Sequence, residues 1–225
     1  MSPILSRILQ LLVLVFIQAI LLFASAGSLG WQAGWWYVGL YILMLGLAGL
    51  FIFPGRGEVV AERSKGSAGG KGWDLWITRL MAIPALGLLV LAGLDERWGL
   101  TPPLPLWARL FGGLLFVGGY AVVVWAMFSN RYFSQVVRIQ VERGHVAVSA
   151  GPYGLIRHPG YFGMTTSMLG AVFLLDSLWG LVCFGLYLGL IVIRTALEDR
   201  TLHAELPGYA EYAAHTRYRL VPGVW

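Results

Sequence analysis

The sequence predicts an all-α fold: a polytopic membrane helix bundle of about six transmembrane helices, with a C-terminal helical hairpin and an amphipathic tail helix. Of the 225 residues, 58% are hydrophobic and only 12% are charged, about half the charged fraction of an ordinary soluble domain. Apolar runs of about 20 residues recur, and each is long enough to cross about 30 Å of hydrocarbon. Basic residues gather in alternate connections between these runs, which is typical of a membrane protein.

Six apolar segments account for the predicted spans. They cover residues 6–26, 34–53, 75–95, 105–128, 160–175 and 177–195. The last two are separated only by Asp176 and should form a tight hairpin, with Asp176 and Ser177 as N-cap residues of the returning helix. Residues 1–128 form a predicted N-terminal part of four spans, and residues 129–225 form the predicted cofactor-binding and catalytic part.

The basic residues test the number of spans. With six spans, the basic connections all fall on one side of the membrane, which should be the cytosol, together with both termini and the active site. The residues concerned are Arg56, Arg63, Lys65, Lys71, Arg131, Arg138, Arg143, Arg157, Arg194, Arg200, Arg217 and Arg219. The net charge of +5 is therefore interpreted as membrane orientation and not as nucleic-acid binding.

Other local features complete the description of the chain. The Gly/Ser-rich segment 55–74 predicts a solvated connection that is mobile at its centre, and a lid or substrate contact is the alternative. The single Cys183 excludes an intrachain disulfide, and the four histidines lack the spacing of metal ligands, so no metal is expected. Glycines in the spans predict close helix packing; they include Gly112, Gly113, Gly118, Gly119, Gly185 and Gly189.

The stretch GPYGLIRHPGYFG, residues 151–163, places two cationic-type side chains directly before the fifth span. Pro159 suits the first turn of that helix, so Arg157 and His158 are held at a helix N-terminus, where unpaired N–H groups favour anions. The turn residues Gly151 and Pro152 and the interfacial aromatic residues Tyr153 and Tyr161 complete the stretch. The arrangement predicts a pocket for a ligand with both a carboxylate and a planar ring.

A second polar group follows the sixth span. Arg194 and Glu198 are spaced i,i+4 and share a helix face, and the hairpin should bring them near Arg157 and His158. Ionisable groups at membrane depth are candidates for function. The tail that follows predicts an amphipathic helix broken near Pro207 and Gly208, which either lies on the membrane surface or caps a cofactor site. Its apolar face holds Leu202, Leu206, Tyr209 and Tyr212.

These motifs carry a family resemblance. GHVAVSAGPYGLIRHPGYFG (144–163), an apolar hairpin, and then RTALEDRTLHAELPGYAEYAAHTRYRLVP (194–222) resemble the isoprenylcysteine carboxyl methyltransferase family, and phospholipid methyltransferases share the pattern. Two features depart from the family. The acidic pair is Glu198-Asp199 where Glu-Glu is common, and the link before the tail tyrosines is short.

The resemblance implies S-adenosyl-L-methionine as the cofactor, a cofactor pocket that faces the cytosol, and a lipophilic methyl acceptor that enters from the bilayer. It implies Arg194 and Glu198 as catalytic residues. The cofactor-binding residues that it implies are His145, Gly151, Pro152, Tyr153, Arg157, His158, Pro159, Tyr161, Glu198, Tyr209 and Tyr212.

The acceptor and the reaction stay open at this point. A carboxylate acceptor arrives ionised, and Arg194, held by Glu198, would orient it; an amine acceptor must lose a proton to Glu198 or His158. Two other functions remain alternatives. One is an NADPH-dependent membrane reductase of the sterol-reductase type, and the other is a non-catalytic membrane protein that retains the fold.

Overall fold

The computed structural model describes residues 2–225, with the side chains of Pro3, Phe53 and Pro54 left aside. Every regular element in this range is helical, so the predicted all-α fold is confirmed. The helices are α1 (Pro3–Ala26), α2 (Gln32–Gly55), α3 (Gly57–Ser64), α4 (Gly72–Trp98), α5 (Leu106–Ser129), α6 (Pro159–Leu174), α7 (Gly180–Glu205) and α8 (Tyr209–His215). Two 3₁₀ turns, Val141–Arg143 and Gly151–Gly154, lie between α5 and α6.

Six long helices occupy the positions of the six predicted spans. In the part of the chain that is described, five have the length and apolar composition to cross a membrane: α1, α2, α4, α5 and α7. The remaining helix, α6, has 16 residues, which is about 24 Å at 1.5 Å per residue and shorter than a full span of about 30 Å. It packs along α5 and forms the hairpin with α7.

The contact between α5 and α6 is made by glycines. A Cβ atom on Gly119 would lie 2.5 Å from the carbonyl oxygen of Gly163, and one on Gly112 would lie 2.6 Å from the backbone nitrogen of Leu174. The two backbones therefore touch, as the sequence predicted. The prediction is wrong for three other glycines, which have open space where a Cβ would stand: Gly118, Gly185 and Gly189.

The hairpin turn corrects the predicted N-cap. The N-cap residue of α7 is Trp179, which makes no side-chain cap hydrogen bond. Asp176 instead accepts a hydrogen bond from the backbone N–H of Leu104 at 2.7 Å, and the Ser177 hydroxyl donates to Asp95 at 2.6 Å. Both side chains are used to fasten the turn to the ends of α4 and α5, because those chain ends lie beside it.

The three basic connections meet at the opposite end of the bundle, which we call the basic end. Arg143 lies 3.2 Å from Glu58, and Lys71 lies 2.6 Å from Glu205. These pairs join the α2–α4 connection to the α5–α6 connection and to the end of α7. The segments that the sequence assigned to one side of the membrane therefore lie together in space.

Part of the connection predicted to be mobile is a helix. Residues 57–64 form α3 because Val59 and Val60 are buried and because Glu62 binds Arg138 at 2.7 Å. Burial of the Glu62 carboxyl favours its neutral form, but hydrogen bonds from Arg138 and Lys65 outweigh this and lower its pKa to about 2. A buried, paired carboxylate holds this segment in place.

The tail covers the start of α6. Gly208, with φ of +77°, ends the run of α7 and lets the chain turn into α8. Beyond α8, the carbonyls of Tyr218 and Arg219 accept hydrogen bonds from the backbone N–H groups of Arg157 and His158, both at 2.9 Å. The tail therefore packs against the start of α6 at the basic end.

Candidate active site

A polar cavity of about 370 Å³ opens at the basic end, between α4, the α5–α6 connection, the first turn of α6 and the end of α7. Most of the predicted site residues line it. They are His145, Tyr153, Arg157, His158, Tyr161, Arg194, Glu198, Tyr209 and Tyr212. Both predicted catalytic residues are therefore in the same cavity as the predicted cofactor-binding residues.

Gly151, Pro152 and Pro159 do not line the cavity but shape its wall. Gly151 has φ of +60°, and a Cβ atom there would overlap the Ser129 side chain, so only glycine fits. Pro152 is the second residue of the 3₁₀ turn Gly151–Gly154, which also contains Tyr153. Pro159 occupies the first turn of α6, directly after the N-cap residue His158, where a proline fixes the helix start without losing a hydrogen bond.

Asp199 organises the motif residues on one side of the cavity. Its carboxylate is 1% exposed and accepts hydrogen bonds from Arg157 at 2.8 and 3.0 Å, from Arg219 at 2.9 Å and from the Tyr209 hydroxyl at 2.9 Å. The remaining Arg157 amino group donates to the carbonyl of Arg217 at 3.0 Å. Arg157 thus holds the tail against α7, and much of its hydrogen-bonding capacity is already used inside the protein.

Arg194 has a different partner from the one predicted. Its guanidinium binds Asp74 at 2.7 and 3.1 Å and donates to the carbonyl of Gln135 at 2.9 Å, so the expected pair with Glu198 is wrong. Asp74 stands in the first turn of α4 and is fully buried. A buried carboxylate needs a cation or several donors, and Arg194 is the cation beside it.

Glu198 is the one carboxylate that lines the polar cavity within residues 2–225. It accepts a hydrogen bond from the Tyr161 hydroxyl, and one of its oxygens lies 3.9 Å from Nδ1 of His158. The Tyr161 ring is parallel to the His158 ring at 5.7 Å between centroids, and the Arg194 guanidinium lies 5.0 Å from its centre. Tyr161 therefore connects the two predicted catalytic residues through its ring and its hydroxyl.

Several buried polar atoms of the cavity wall have no hydrogen-bond partner among the described residues. They include Nε2 of His158, Nε of Arg157 and the hydroxyl of Thr78. Buried polar atoms in folded proteins are nearly always paired. These atoms belong to residues that line the cavity, and Nε2 of His158 lies 3.6 Å from a carboxylate oxygen of Asp199.

Two titratable residues of the wall outside the membrane helices, His145 and Tyr212, are neutral near pH 7. Burial, followed by the charges of Arg143 and Arg138, lowers the pKa of His145 to about 4, and its ring lies 4.4 Å from the ring of Tyr132. Burial raises the pKa of Tyr212 to about 12, and its hydroxyl donates to the carbonyl of Tyr153 at 2.7 Å. Near neutral pH the rings of His145 and Tyr212 are therefore uncharged aromatic surfaces of the cavity wall.

A second, larger cavity of about 910 Å³ lies among α1, α2, α4, α5 and α6. Its lining is dominated by apolar residues such as Leu11, Leu89 and Phe116, and we call it the apolar cavity. The two cavities share part of their walls. The shared residues are Arg63, Ala85, Phe133, Met164 and Tyr187.

Sequence reasoning missed some residues of these walls. Asp74 was overlooked, although a carboxylate at the start of an apolar helix is a usable signal. Arg63 was used only to orient the chain, and Arg7 and Thr78 were not considered. Their roles depend on which helices are neighbours, which their spacing in the chain does not reveal.

Comparison with known proteins agrees with the motifs. Residues 107–205 match the model of the phospholipid methyltransferase family. Two rice proteins, each named probable protein-S-isoprenylcysteine O-methyltransferase, are similar to this chain, one from Oryza sativa subsp. indica and one from subsp. japonica. Each is 29% identical over 143 residues, which is 63% of this chain and 74% of the rice protein. The resemblance predicted from the sequence is therefore confirmed.

Proposed function

Starting from its kinship with the isoprenylcysteine and phospholipid methyltransferases of membranes, we propose that this protein is an S-adenosyl-L-methionine-dependent methyltransferase that acts on a lipid-like acceptor. One observation carries the proposal. A polar cavity at the basic end and an apolar cavity between the helices share five wall residues. A polar methyl donor and an acceptor with a prenyl or acyl chain can thus meet across a single boundary.

The residues of the polar cavity suit the methyl donor. Its volume of about 370 Å³ lies within the range of small-molecule sites. Tyr153 and Tyr212 offer neutral aromatic surface for adenine. Glu198, the carboxylate of this wall, would face the cationic part of the donor, and the wall residues His158 and Thr78 would lie beside its polar groups.

When bound, S-adenosyl-L-methionine supplies an electrophilic methyl group: the acceptor atom bonds to the methyl carbon while the carbon–sulfur bond breaks and its electron pair stays on sulfur. The donor is already activated, so the protein has to position the reactants and exclude water. Phe133 and Met164 form an apolar boundary between the cavities that serves this purpose. Tyr161, held by Glu198, fixes the donor side.

Arg194 has a positioning role in this proposal. It is neutralised by Asp74 and stacked on Tyr161, so it supports the ring that binds Glu198. The sequence predicted that Arg194 orients an acceptor carboxylate. A guanidinium that already has a buried acidic partner is less suited to that role.

The membrane arrangement follows from the same distribution of charge. We propose a multi-pass protein whose basic end, both termini and polar cavity face the cytosol. Residues 129–225 supply most of the donor site, and helices within residues 1–128 supply most of the apolar cavity. Arg63, Thr78 and Ala85 from the N-terminal part also line the polar cavity, so the donor site draws on both parts.

Binding of S-adenosylhomocysteine to the purified protein in detergent tests the donor site directly. A ligand that binds only the folded state raises the unfolding temperature by mass action. We expect stabilisation of the wild type and its loss, with at least about tenfold weaker binding, in Glu198→Gln. Glu211→Gln is the matched control, because Glu211 is exposed on α8 outside the cavity.

The proposal fails if S-adenosylhomocysteine neither binds nor stabilises the folded wild type. Stabilisation by NADPH in its place would support the reductase alternative. Loss of binding in Glu211→Gln to the same degree as in Glu198→Gln would show that the effect is not specific to the polar cavity.

A further inference from the structure

A group of polar side chains lies inside the apolar cavity, away from its boundary with the polar cavity. Gln18 on α1 and Tyr37 on α2 line the apolar cavity and are only 6% and 7% exposed. The Tyr37 hydroxyl donates a hydrogen bond to the amide oxygen of Gln18 at 2.6 Å. Tyr41 and Tyr120 line the same cavity. We call these four residues the deep polar group.

The three tyrosines of this group form a row. The rings of Tyr37 and Tyr41 are parallel, with centroids 6.2 Å apart, and the rings of Tyr41 and Tyr120 meet edge to face at 6.0 Å. The Phe116 ring packs against the rings of Tyr37 and Tyr41 at 5.3 and 6.5 Å. These ring contacts hold the hydroxyl-bearing side chains in place along the cavity wall.

Gln18 stands far from the basic end. α1 begins at that end, where Gln10 donates to the carbonyl of Ser64 at 3.2 Å, and the eleven residues from Arg7 to Gln18 span about 16 Å at 1.5 Å per residue. Arg7 and Arg63 are the charged residues of the apolar cavity within the described part of the chain. Both lie toward the basic end, so the surroundings of Gln18 are uncharged.

A contact between helices explains only part of the deep polar group. The pair of Gln18 and Tyr37 joins α1 to α2, and hydrogen bonds between membrane helices commonly serve that purpose. Tyr120 is not needed for this pair, and within residues 2–225 its hydroxyl has no hydrogen-bond partner. Because a polar atom without a partner is costly in apolar surroundings, the cavity carries more polar groups than the helix contact requires.

The donors and acceptors of the group define what fits beside it. Each tyrosine hydroxyl and the amide nitrogen of Gln18 has hydrogen to donate, whereas the amide oxygen already accepts from Tyr37. The group is therefore richer in donors than in free acceptors. An ionised ligand group would need a counter-charge at this depth, so an uncharged oxygen atom is the complementary partner.

We propose that the deep polar group binds an uncharged oxygen function, a hydroxyl or a carbonyl, at the far end of the acceptor chain. The acceptor is then a long-chain lipid that is oxygenated at the end remote from its methylated head group. This inference rests on the proposed function and sharpens it, because it adds a second recognition point on the substrate. The length of chain between the two polar ends becomes part of the specificity.

The experiment measures binding of hydroxylated fatty acids to the full-length protein in detergent by calorimetry. The probes are the ω-hydroxy and α-hydroxy isomers of lauric, myristic, palmitic and stearic acid. The two isomers of each acid have the same composition and the same carboxyl group, so they differ only in the place of the hydroxyl. Several lengths are compared because the distance to Gln18 is fixed.

At one chain length we expect the wild type to bind the ω-hydroxy isomer about 3- to 10-fold more tightly than the α-hydroxy isomer, which is the contribution of a hydrogen bond. In a wholly apolar cavity the order is reversed, because a buried hydroxyl without a partner weakens binding. The sign of the difference therefore separates the two cases.

Variants then locate the recognition. Gln18→Leu and Tyr37→Phe should remove the preference for the ω-hydroxy isomer, and Tyr120→Phe should reduce it. Tyr218→Phe is the matched control, because Tyr218 lines neither cavity, and it should keep the preference of the wild type. Stabilisation by S-adenosylhomocysteine, measured on each variant, reports that the fold and the donor site are intact.

Two results would overturn the inference. One is that the wild type shows no preference for the ω-hydroxy isomer at any chain length. The other is a preference that persists in both Gln18→Leu and Tyr37→Phe, which would leave the group the role of holding α1 against α2. Failure of the proposed function looks different: S-adenosylhomocysteine does not bind the wild type, while the preference for the ω-hydroxy isomer and its dependence on Gln18 are still measured.

Discussion

The two cavities share a wall but treat charge in opposite ways. The arginines that line only the polar cavity are each bound to a carboxylate of this chain: Arg138 to Glu62, Arg157 to Asp199 and Arg194 to Asp74. The arginines that line the apolar cavity, Arg7 and Arg63, have no acidic partner within the described residues. The difference separates cations that the chain pairs with its own carboxylates from cations that it leaves without an acidic partner in the described residues.

That distinction has an energetic meaning. Removing one member of a buried ion pair leaves the other charged and unpaired, which typically costs about 3–5 kcal/mol. Arg7 and Arg63 are half-buried, and removing either one leaves no carboxylate of the described residues without its partner. Substitutions in the two groups should therefore differ in their effect on stability before any activity is measured.

The largest effect is expected at Asp199. Asp199→Ala leaves Arg157 and Arg219 without their carboxylate and removes the acceptor of the Tyr209 hydroxyl, so we expect a loss of about 3–5 kcal/mol in the free energy of unfolding. Thermal and denaturant unfolding in detergent would measure it. Arg63→Gln is the comparison, and it should leave the free energy of unfolding unchanged or higher. Equal destabilisation by both variants would remove the distinction between the two cavities.

The next effect tests the helix contact beside both cavities. Gly163→Ala places a Cβ atom 2.5 Å from the carbonyl oxygen of Gly119, so α5 and α6 must separate; overpacking of this kind costs about 1–3 kcal/mol. The unfolding temperature of the purified protein is the measurement. Gly185→Ala on α7 is the control, since nothing lies within 4 Å of its added Cβ, and it should have almost no effect.

His145 predicts a dependence of stability on pH. Its pKa is lowered from 6.5 to about 4 in the folded protein, so between these values the unfolded chain binds more protons than the folded one. The free energy of unfolding should therefore rise as pH increases from 4 to 6.5 and then level off. We expect a contribution of about 1 kcal/mol after solvent screening of a partly exposed ring.

Unfolding measured between pH 4 and 7 tests this behaviour against His145→Gln. Between pH 4 and 6.5, the free energy of unfolding should rise less steeply with pH in His145→Gln than in the wild type, because the contribution of His145 is absent. Glu62, whose pKa is lowered to about 2, adds a loss of stability below pH 4.5 in both proteins, since its carboxylate contributes only while it is ionised. An identical slope above pH 4.5 in the two proteins would contradict the assignment to His145.

The smallest effect is expected at the rim of the basic end. Lys71 and Glu205 lie 2.6 Å apart but have side chains 35% and 43% exposed, and such pairs contribute less than about 1 kcal/mol. Lys71→Met should change the unfolding temperature only slightly, and the change should shrink further in high salt. If Lys71→Met lowered the stability as much as Asp199→Ala, the exposure of an ion pair would not determine its contribution to stability in this protein.

Much of the fold follows from local pattern. Apolar runs longer than 18 residues identify the membrane-spanning helices. The basic residues occur in alternate connections between them, and this predicts that segments 56–71, 130–158 and 206–225 lie at one end of the bundle. The prediction of close glycine contacts is confirmed at Gly112 and Gly119 but wrong at Gly118, Gly185 and Gly189. A glycine permits close approach, and only the partner helix determines whether approach occurs.

The candidate site divides in the same way. The sequence by itself determined the membrane helix bundle, the motif residues that line one cavity and the family that these motifs resemble, because hydropathy and motif order are properties of the chain alone. The tertiary structure decided that Arg194 pairs with Asp74 and not Glu198 and that Asp199 holds Arg157. It also decided that Arg63 lines both cavities without an acidic partner among the described residues. Ion pairing depends on which side chains of different helices come within about 4 Å of each other, and that distance is fixed by packing, not by spacing along the sequence.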